Sequence, residues 1–378
     1  MNDVPFLPFA KPTLSEETYR EVEAVLRSGW LTTGPRVAQF EKDLSAYFGG
    51  RSVRAVSSAT AGLQLALLAL GLKPGDEVIT TPLTFVATLN TIVQAGGKPV
   101  LVDINPATRN IDVKLLERAI TPKTRAIMPV HFAGLPVDLD VIYDIAAKRK
   151  LRVVEDCAHS IGAEYKGKKL GSFGDIQVMS FHPNKNMTTG EGGAVVTDDA
   201  DVLRSIERMR FHGIDREAFN RFSKTGSQHY DVVAAGFKYN MMDIQAAIGL
   251  HQLPMLDGFI QKRGEMIMRY YEVLPDIPNI SLPGRPGYPH KHAWHLFTVL
   301  VPDRDAFIEK MKAKNIGIGM HYVAAHLFTY YKETFGFKAG DFPHAEKVGA
   351  SICSLPLFPD MTISDNNRVF RGIEESMT

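Results

Sequence analysis

The sequence predicts an α/β protein: a large domain with a mostly parallel sheet flanked by helices, followed by a smaller C-terminal α/β domain. Three observations carry this expectation. From Ser57 to Thr197, short β-branched runs alternate with longer stretches of helical period, the pattern of βαβ units. After a long irregular break, the last third alternates again between strand-like and helical runs. A chain of 378 residues with 45% hydrophobic content also exceeds what one core commonly supports, so a second core is expected.

In order, strands are expected at Glu77–Thr81, Pro99–Ile104, Ala126–His131, Arg152–Asp156, Ile176–Phe181 and Ala194–Thr197. Helices are expected between them at Thr60–Leu70, Thr84–Gln94, Val113–Ala119 and Leu139–Lys148. Between His212 and Phe237 the periodicity dissolves into charged, aromatic, Gly and Ser residues, as in a long functional connection. Asn240 to about Leu274 reads as a helix interrupted at Pro254, whose ring removes a backbone donor. A strand over His292–Val301, a helix over Asp305–Lys314, a strand over Ile316–Tyr322 and further helices complete the chain. The division is placed at 1–255, including an N-terminal arm, and 256–378. No internal repeat is visible.

Composition narrows the function. Lys+Arg 43 against Asp+Glu 42 gives a formal charge of +1, which argues against a nucleic acid or an anionic membrane surface as partner. Cys157 and Cys353 lie far apart with no paired spacing, so neither a disulfide framework nor a zinc site is expected. The first residues lack a secretory pattern, and the Leu63–Leu72 apolar run is far below the ~20 residues of a membrane span. A cytoplasmic protein with a small-molecule partner is the expectation. The segment His290-Lys-His-Ala-Trp-His295 holds three histidines, but on a strand His295 faces away from the other two, and no metal is expected. No Walker-type loop or Gly-x-Ser-x-Gly elbow occurs.

Three segments can carry chemistry. Val56-Ser-Ser-Ala-Thr-Ala-Gly62 precedes a helix, whose N-terminal N–H groups can hold a phosphate; it also reads as a plain cap by Ser58 or Thr60. Val153-Val-Glu-Asp-Cys-Ala-His-Ser160 is an apolar strand ending in Asp156 and His159, where parallel sheets bind ligands, though both side chains also suit turn capping or core packing. The run from Met179 to Gly193 places Lys185 in a turn between two strands. A confined lysine can lose its proton and attack a carbonyl, whereas most lysines are solvated.

Taken in order, these segments resemble the DegT/DnrJ/EryC1/StrS sugar aminotransferase family, a branch of the fold-type I pyridoxal phosphate enzymes. The likeness runs from Ser28-Gly-Trp-Leu-Thr-Thr-Gly-Pro35 through Gly75-Asp-Glu-Val78, Pro129-Val-His131, Glu155-Asp156 and Lys238-Tyr-Asn240 to Ser351–Thr362. The resemblance implies the fold-type I architecture, with a seven-stranded sheet in the large domain. It implies that Lys185 holds pyridoxal 5'-phosphate covalently and that Asp156 binds its pyridine nitrogen. It also implies that the Thr60 and Ala61 backbone N–H groups, Ser180, and Asn240 from a neighbouring subunit hold the phosphate. Phe85 would stack on the ring and His159 would sit beside the phenolic oxygen; many members carry glutamine in place of this histidine, and tryptophan also occurs at the position of Phe85. Trp30, Arg221, His321, Tyr322 and His326 would line a cleft between the subunits of a homodimer. The implied reaction moves an amino group from glutamate, leaving 2-oxoglutarate, to a nucleotide-linked keto sugar, with C4 as the expected carbon. The first expectation is a UDP-linked 4-keto pentose of the L-arabinose type, for lipopolysaccharide modification. A nucleotide 4-keto-6-deoxy hexose, or a catalytically silent regulator that binds the cofactor, are the alternatives.

Overall fold

The computed structural model describes residues 5–215 and 230–377, which leaves Arg221 outside the described residues. The first nine strands are β1 (Val53–Val56), β2 (Glu77–Thr80), β3 (Lys98–Leu101), β4 (Thr124–Ile127), β5 (Arg152–Cys157), β6 (Glu164–Tyr165), β7 (Lys168–Lys169), β8 (Ile176–Ser180) and β9 (Gly193–Val196). β10 (His290–Lys291), β11 (Phe297–Leu300) and β12 (Ile352–Leu355) follow. Seven of them form one sheet in the order β1-β9-β8-β5-β4-β2-β3. Only β9 runs against the others, since its pairings with β1 and β8 are antiparallel while β8-β5-β4-β2-β3 pair in parallel. Strands β2, β8 and β9 are buried at every position, as a sheet covered on both faces requires. The sheet is thus mostly parallel, as expected, but β1 lies outside the expected strands because its four residues include the charged Arg54.

Helices cover both faces. Two N-terminal helices that the sequence reading does not anticipate, α1 (Glu16–Ser28) and α2 (Pro35–Tyr47), lie before the sheet begins. The crossover helices are α3 (Ala59–Ala69), α4 (Ala87–Gln94), the short α5 (Leu116–Ala119) and α6 (Leu139–Arg149), and α7 (Ala200–Met209) follows β9. Helix α3 sits hard against the sheet through Gly62, where a Cβ would lie 2.8 Å from Val178 Cγ1 and 3.2 Å from Val195 Cγ2.

The expected break at Pro254 is present. Helix α8 (Asp243–Gln252), on which α1 and α2 pack, ends in a 3-10 turn over Leu253–Met255, and α9 (Leu256–Val273) resumes beyond it. Helix α9 places Leu256 and Ile260 in the core beneath the large sheet and Ile267 and Tyr270 in a separate C-terminal core. That second core is built on the β11–β12 pair, with α10 (Arg304–Ala313) and α13 (Ile363–Met377) packed over it; α11 (Thr329–Phe335) and α12 (Pro343–Ser351) lie between these two helices in sequence.

Two expected strands are altered. The run His292–Val301 is a strand only over Phe297–Leu300, because Trp294 takes a left-handed conformation (φ 52°) that breaks the alternation. Ile316–Tyr322 is not a strand. It touches its neighbours at two isolated bridges, Leu7 with Ile316 and Gly319 with Ser354. The N-terminal arm lies across it, so closely that a Cβ on Gly317 would stand 2.9 Å from Phe6 Cζ.

The packing at Gly62 yields a stability prediction. Gly62→Ala should lower the free energy of unfolding by about 1–3 kcal/mol through overpacking. The measurement is the urea midpoint at unchanged slope. An unmoved midpoint would mean that α3 can retreat from the sheet without loss.

Candidate active site

The carboxyl ends of β1, β5 and β8 and the start of α3 surround a cavity of about 470 Å³, lined by Ser58, Thr60, Phe85, Asp156, His159, Ser180, Lys185, His321 and Tyr322 among others. Open α/β sheets bind ligands at this edge, because the strands end there and helix N-termini point into it. Ser58 is the N-cap of α3, and its Oγ accepts from the Ala61 N–H at 3.1 Å. The Ala61 donor is therefore spent on the cap, while Ala59 and Thr60 line the cavity. Gly193, which opens β9, permits this closeness: a Cβ there would lie 2.6 Å from Ala59 N.

Asp156 is the next-to-last residue of β5, with 5% of its surface exposed. Its Oδ2 accepts from Thr88 Oγ1 at 2.8 Å and its Oδ1 from the Ala158 N–H at 3.1 Å. Thr88 is in turn paired with Thr84 at 2.8 Å. Burial pushes the Asp156 carboxyl above its ordinary range, and the Thr88 hydroxyl, the Ala158 amide, Lys185 and His131 pull it back toward ionisation. Lys185 lies in the turn after β8, where its N–H donates to His182 O at 2.8 Å. Burial lowers its ammonium to about 8, with Asp156 acting in the opposite direction. About a tenth of Lys185 is therefore a neutral amine at pH 7, far more than for an ordinary lysine.

A ring cluster forms the opposite wall. His159 Nδ1 accepts from the Ala133 N–H at 3.2 Å, and its Nε2 lies 3.0 Å from the Tyr322 hydroxyl. Burial, then the charges of Lys185 and His321, hold His159 well below its usual pKa, so it is neutral with its proton on Nε2. Nε2 thus donates to Tyr322, which leaves the tyrosine hydroxyl hydrogen available as a donor. Phe85, 56% exposed, stands with its ring 6.0 Å from that of Tyr322. His321 Nδ1 pairs with Ser354 Oγ at 2.8 Å, and burial followed by Lys185 lowers it to about 4.

Three other candidates lie elsewhere. Asn240 Nδ2 donates to Thr33 Oγ1 at 2.6 Å and Trp30 Nε1 to Thr33 O at 3.1 Å, so both gather round Thr33 rather than on the cavity wall. Asn240 Oδ1 is buried without a partner. His326 is fully buried in the C-terminal part, with Nε2 on Glu346 Oε1 at 3.0 Å and its ring against Phe342.

Two groups escape the sequence reading. Thr88, on α4, carries no local signal, since it meets Asp156 only through the fold. His295 is buried 4.4 Å from the His159 ring, with neither of its ring nitrogens partnered. His131, Glu155 and Cys157 bring one potential metal ligand each within 4.8 Å of one another. His131 Nε2 is taken by Glu155 Oε2 at 2.9 Å, its Nδ1 accepts from the Val137 N–H at 3.1 Å, and burial raises the Cys157 thiol. His131 and Glu155 thus serve each other, with Glu155 and Cys157 both on β5. The cavity itself offers N–H and hydroxyl groups at one end, a buried carboxylate at the other, an exposed aromatic ring and a lowered amine. That donor set suits a flat phosphorylated ring with a basic nitrogen and a carbonyl.

The profile of the DegT/DnrJ/EryC1/StrS aminotransferase family matches residues 12–374. The spore coat polysaccharide biosynthesis protein SpsC of Bacillus subtilis is 42% identical over 98% of this chain and 97% of its own. A UDP-4-amino-4-deoxy-L-arabinose–oxoglutarate aminotransferase of Shewanella sediminis is 42% identical over 98% of each chain. Among solved structures, the putative sugar aminotransferase Spr1654 of Streptococcus pneumoniae in its PMP form superposes with a TM-score of 0.91 at 31% identity, covering 99% of both chains; a PLP form of the same protein matches equally well, with a TM-score of 0.91. Sequence, fold and site geometry agree, and the chain belongs to the DegT/DnrJ/EryC1/StrS aminotransferase family.

Proposed function

We propose that this protein is a pyridoxal-phosphate-dependent sugar aminotransferase in which Lys185 is the catalytic lysine and glutamate the amino donor. The observation that carries the reading is the pairing, in one cavity, of a burial-lowered amine with a buried carboxylate. When bound, the cofactor supplies a carbonyl that exchanges for an amino group and a ring that accepts electrons. Lys185 Nζ would hold it covalently and, once displaced by the incoming substrate amine, would be free to take and return the substrate proton, as a burial-lowered amine can. Asp156 would hold a proton at the pyridine nitrogen, its carboxylate kept oriented by Thr88 and Ala158. Thr60 and Ser180 would bind the phosphate, Phe85 would cover the ring, and His159, held by Tyr322, would sit beside the phenolic oxygen.

The site is read as shared between two copies of the chain. Asn240 and Trp30 sit off the wall of their own cavity, and Asn240 Oδ1 lacks a partner, so both suit a role in the neighbouring subunit's site. His321 and Tyr322 are assigned to the sugar, and Arg221 to the nucleotide; His326, held by Glu346, would act only by shaping the segment that carries them. The division between large and small domains is placed at 255/256, where the Pro254 turn joins α8 to α9. No helix among the described residues is long and apolar enough to cross a membrane, in keeping with a cytoplasmic enzyme.

The name of the Shewanella relative supports a UDP-linked 4-keto pentose as substrate, and lipopolysaccharide modification is the pathway we propose with it. SpsC, at the same identity, supports the second reading, a different nucleotide keto sugar for another glycan.

Lys185→Ala should abolish multiple turnover with glutamate and any keto sugar, whereas retained turnover would remove the lysine from its role. Mixing Lys185→Ala with Asn240→Ala subunits should restore part of the activity if sites are shared; independent subunits would show none. Capture of cofactor by the cofactor-free protein should speed up with pH and level off above about 8, because only the neutral amine attacks; an ordinary lysine, near 10.4, would keep the rate climbing. Thr88→Val should move the acidic limb of the kcat profile to higher pH, since Asp156 loses a donor that lowers its pKa. Finally, kcat/KM for the UDP-4-keto pentose should exceed that for a 4-keto-6-deoxy hexose by about tenfold, the discrimination one methyl group can provide. The opposite ranking would select the second reading.

A further inference from the structure

A second cavity, of about 780 Å³, lies behind the first and shares no lining residue with it. The two are separated by residues 132 and 133: Phe132 lines the rear space while its ring stands 6.3 Å from Tyr322, and the Ala133 N–H bonds His159. One end of the rear cavity is unusual in its charge. Arg109 lines it with only 1% of its surface exposed. One terminal nitrogen donates to Thr298 O at 2.8 Å and to Thr298 Oγ1, while Nε is buried without a partner. Arg285, an exposed residue, lines the same cavity, with its guanidinium carbon 5.3 Å from the centre of the Tyr271 ring. Both cations act on the Tyr271 phenol, restraining the rise that burial imposes on it.

No carboxylate among the described residues pairs with either arginine; Tyr271 is the only charged-state partner that bears on Arg109. The other charges in the cavity are already engaged. Lys291 Nζ is 3.5 Å from Glu164, and Asp257 is turned to the Tyr47 hydroxyl at 2.9 Å and Lys169 at 3.5 Å. A guanidinium buried without an anion is costly, and that cost falls when an anion occupies the space beside it. Arg109 is the buried group of the two; Arg285, which is exposed, adds a second cation on the same phenol, and guanidinium forks match phosphoryl oxygens in geometry. Along the same cavity the His292 and Trp294 rings stack at 3.7 Å and 6°, a flat wall that meets the Tyr271 ring edge-on at 6.5 Å.

We propose that this rear cavity is a second ligand site, for a small phosphorylated molecule whose phosphoryl oxygens are held by Arg109 and Arg285. The site is independent of the aminotransfer reading, since neither arginine touches the Lys185 cavity.

Calorimetric titration of the cofactor-loaded enzyme with inorganic phosphate, and separately with uridine 5'-monophosphate, tests it. At least one probe should show a binding event that weakens at least about tenfold in Arg285→Ala and in Arg109→Met, the loss expected for a charge-assisted bond. KM for glutamate in Arg285→Ala should stay unchanged. Tighter binding of the nucleotide than of phosphate would assign the flat wall to a base, and equal binding would assign the site to the phosphoryl group alone. Should the buried Arg109→Met variant fail to fold, Arg285→Ala decides the matter. Absence of binding by both probes at millimolar concentration, or binding unchanged in Arg285→Ala, overturns the proposal.

Discussion

A carboxylate buried at the end of a central strand sets the terms for everything near it. Asp156 is almost without solvent, and its oxygens receive only the neutral donors Thr88 and Ala158. An anion in such a place is tolerated when donors surround it and a positive charge is near. The mostly parallel sheet supplies both conditions. It ends β5 beside β8, so the turn that follows β8 carries Lys185 to the same edge. Desolvation raises the acid and lowers the amine, and their mutual attraction opposes each shift. The outcome is a pair whose proton affinities are drawn toward each other.

The remaining wall depends on a longer chain of contacts. The N-terminal arm pairs Leu7 with Ile316, and Gly319 pairs with Ser354 of β12. These two bridges hold the extended segment whose next residues, His321 and Tyr322, reach the cavity. Ser354 then fixes His321 directly, and Tyr322 fixes His159. The C-terminal core therefore acts on the chemistry through two rings, and the arm from the opposite end of the chain keeps those rings in register.

Much of this is legible in the sequence, for a physical reason. Strands buried on both faces must be continuously apolar, and the helices between them must be amphipathic or small-residue rich, so the βαβ run from β2 to β9 is written in its periodicity. Asp156 and His159 are legible because they terminate such a strand. Lys185 is not distinguished by its surroundings in sequence; only its place in the family pattern singles it out, and burial in the folded cavity is what lowers its pKa. The four-residue β1 is obscured by Arg54, and Ile316–Tyr322 imitates a strand although its pairing is reduced to single bridges beneath the arm. Alternation would turn His295 away from His292, but the left-handed Trp294 resets the direction of the chain and buries His295 against His159. Thr88 and Arg109 have no local signature whatever, because their partners lie 68 and 189 residues away.

The central claim is that Lys185 is the point at which this protein holds its cofactor. Reduction of the pyridoxal-phosphate-loaded enzyme with borohydride, followed by peptide mass mapping, reads that attachment directly. The account predicts the phosphopyridoxyl mass on the peptide containing Lys185 and on no other, with the label lost when glutamate is added before reduction. A label on a different lysine, or one that glutamate does not remove, would contradict it.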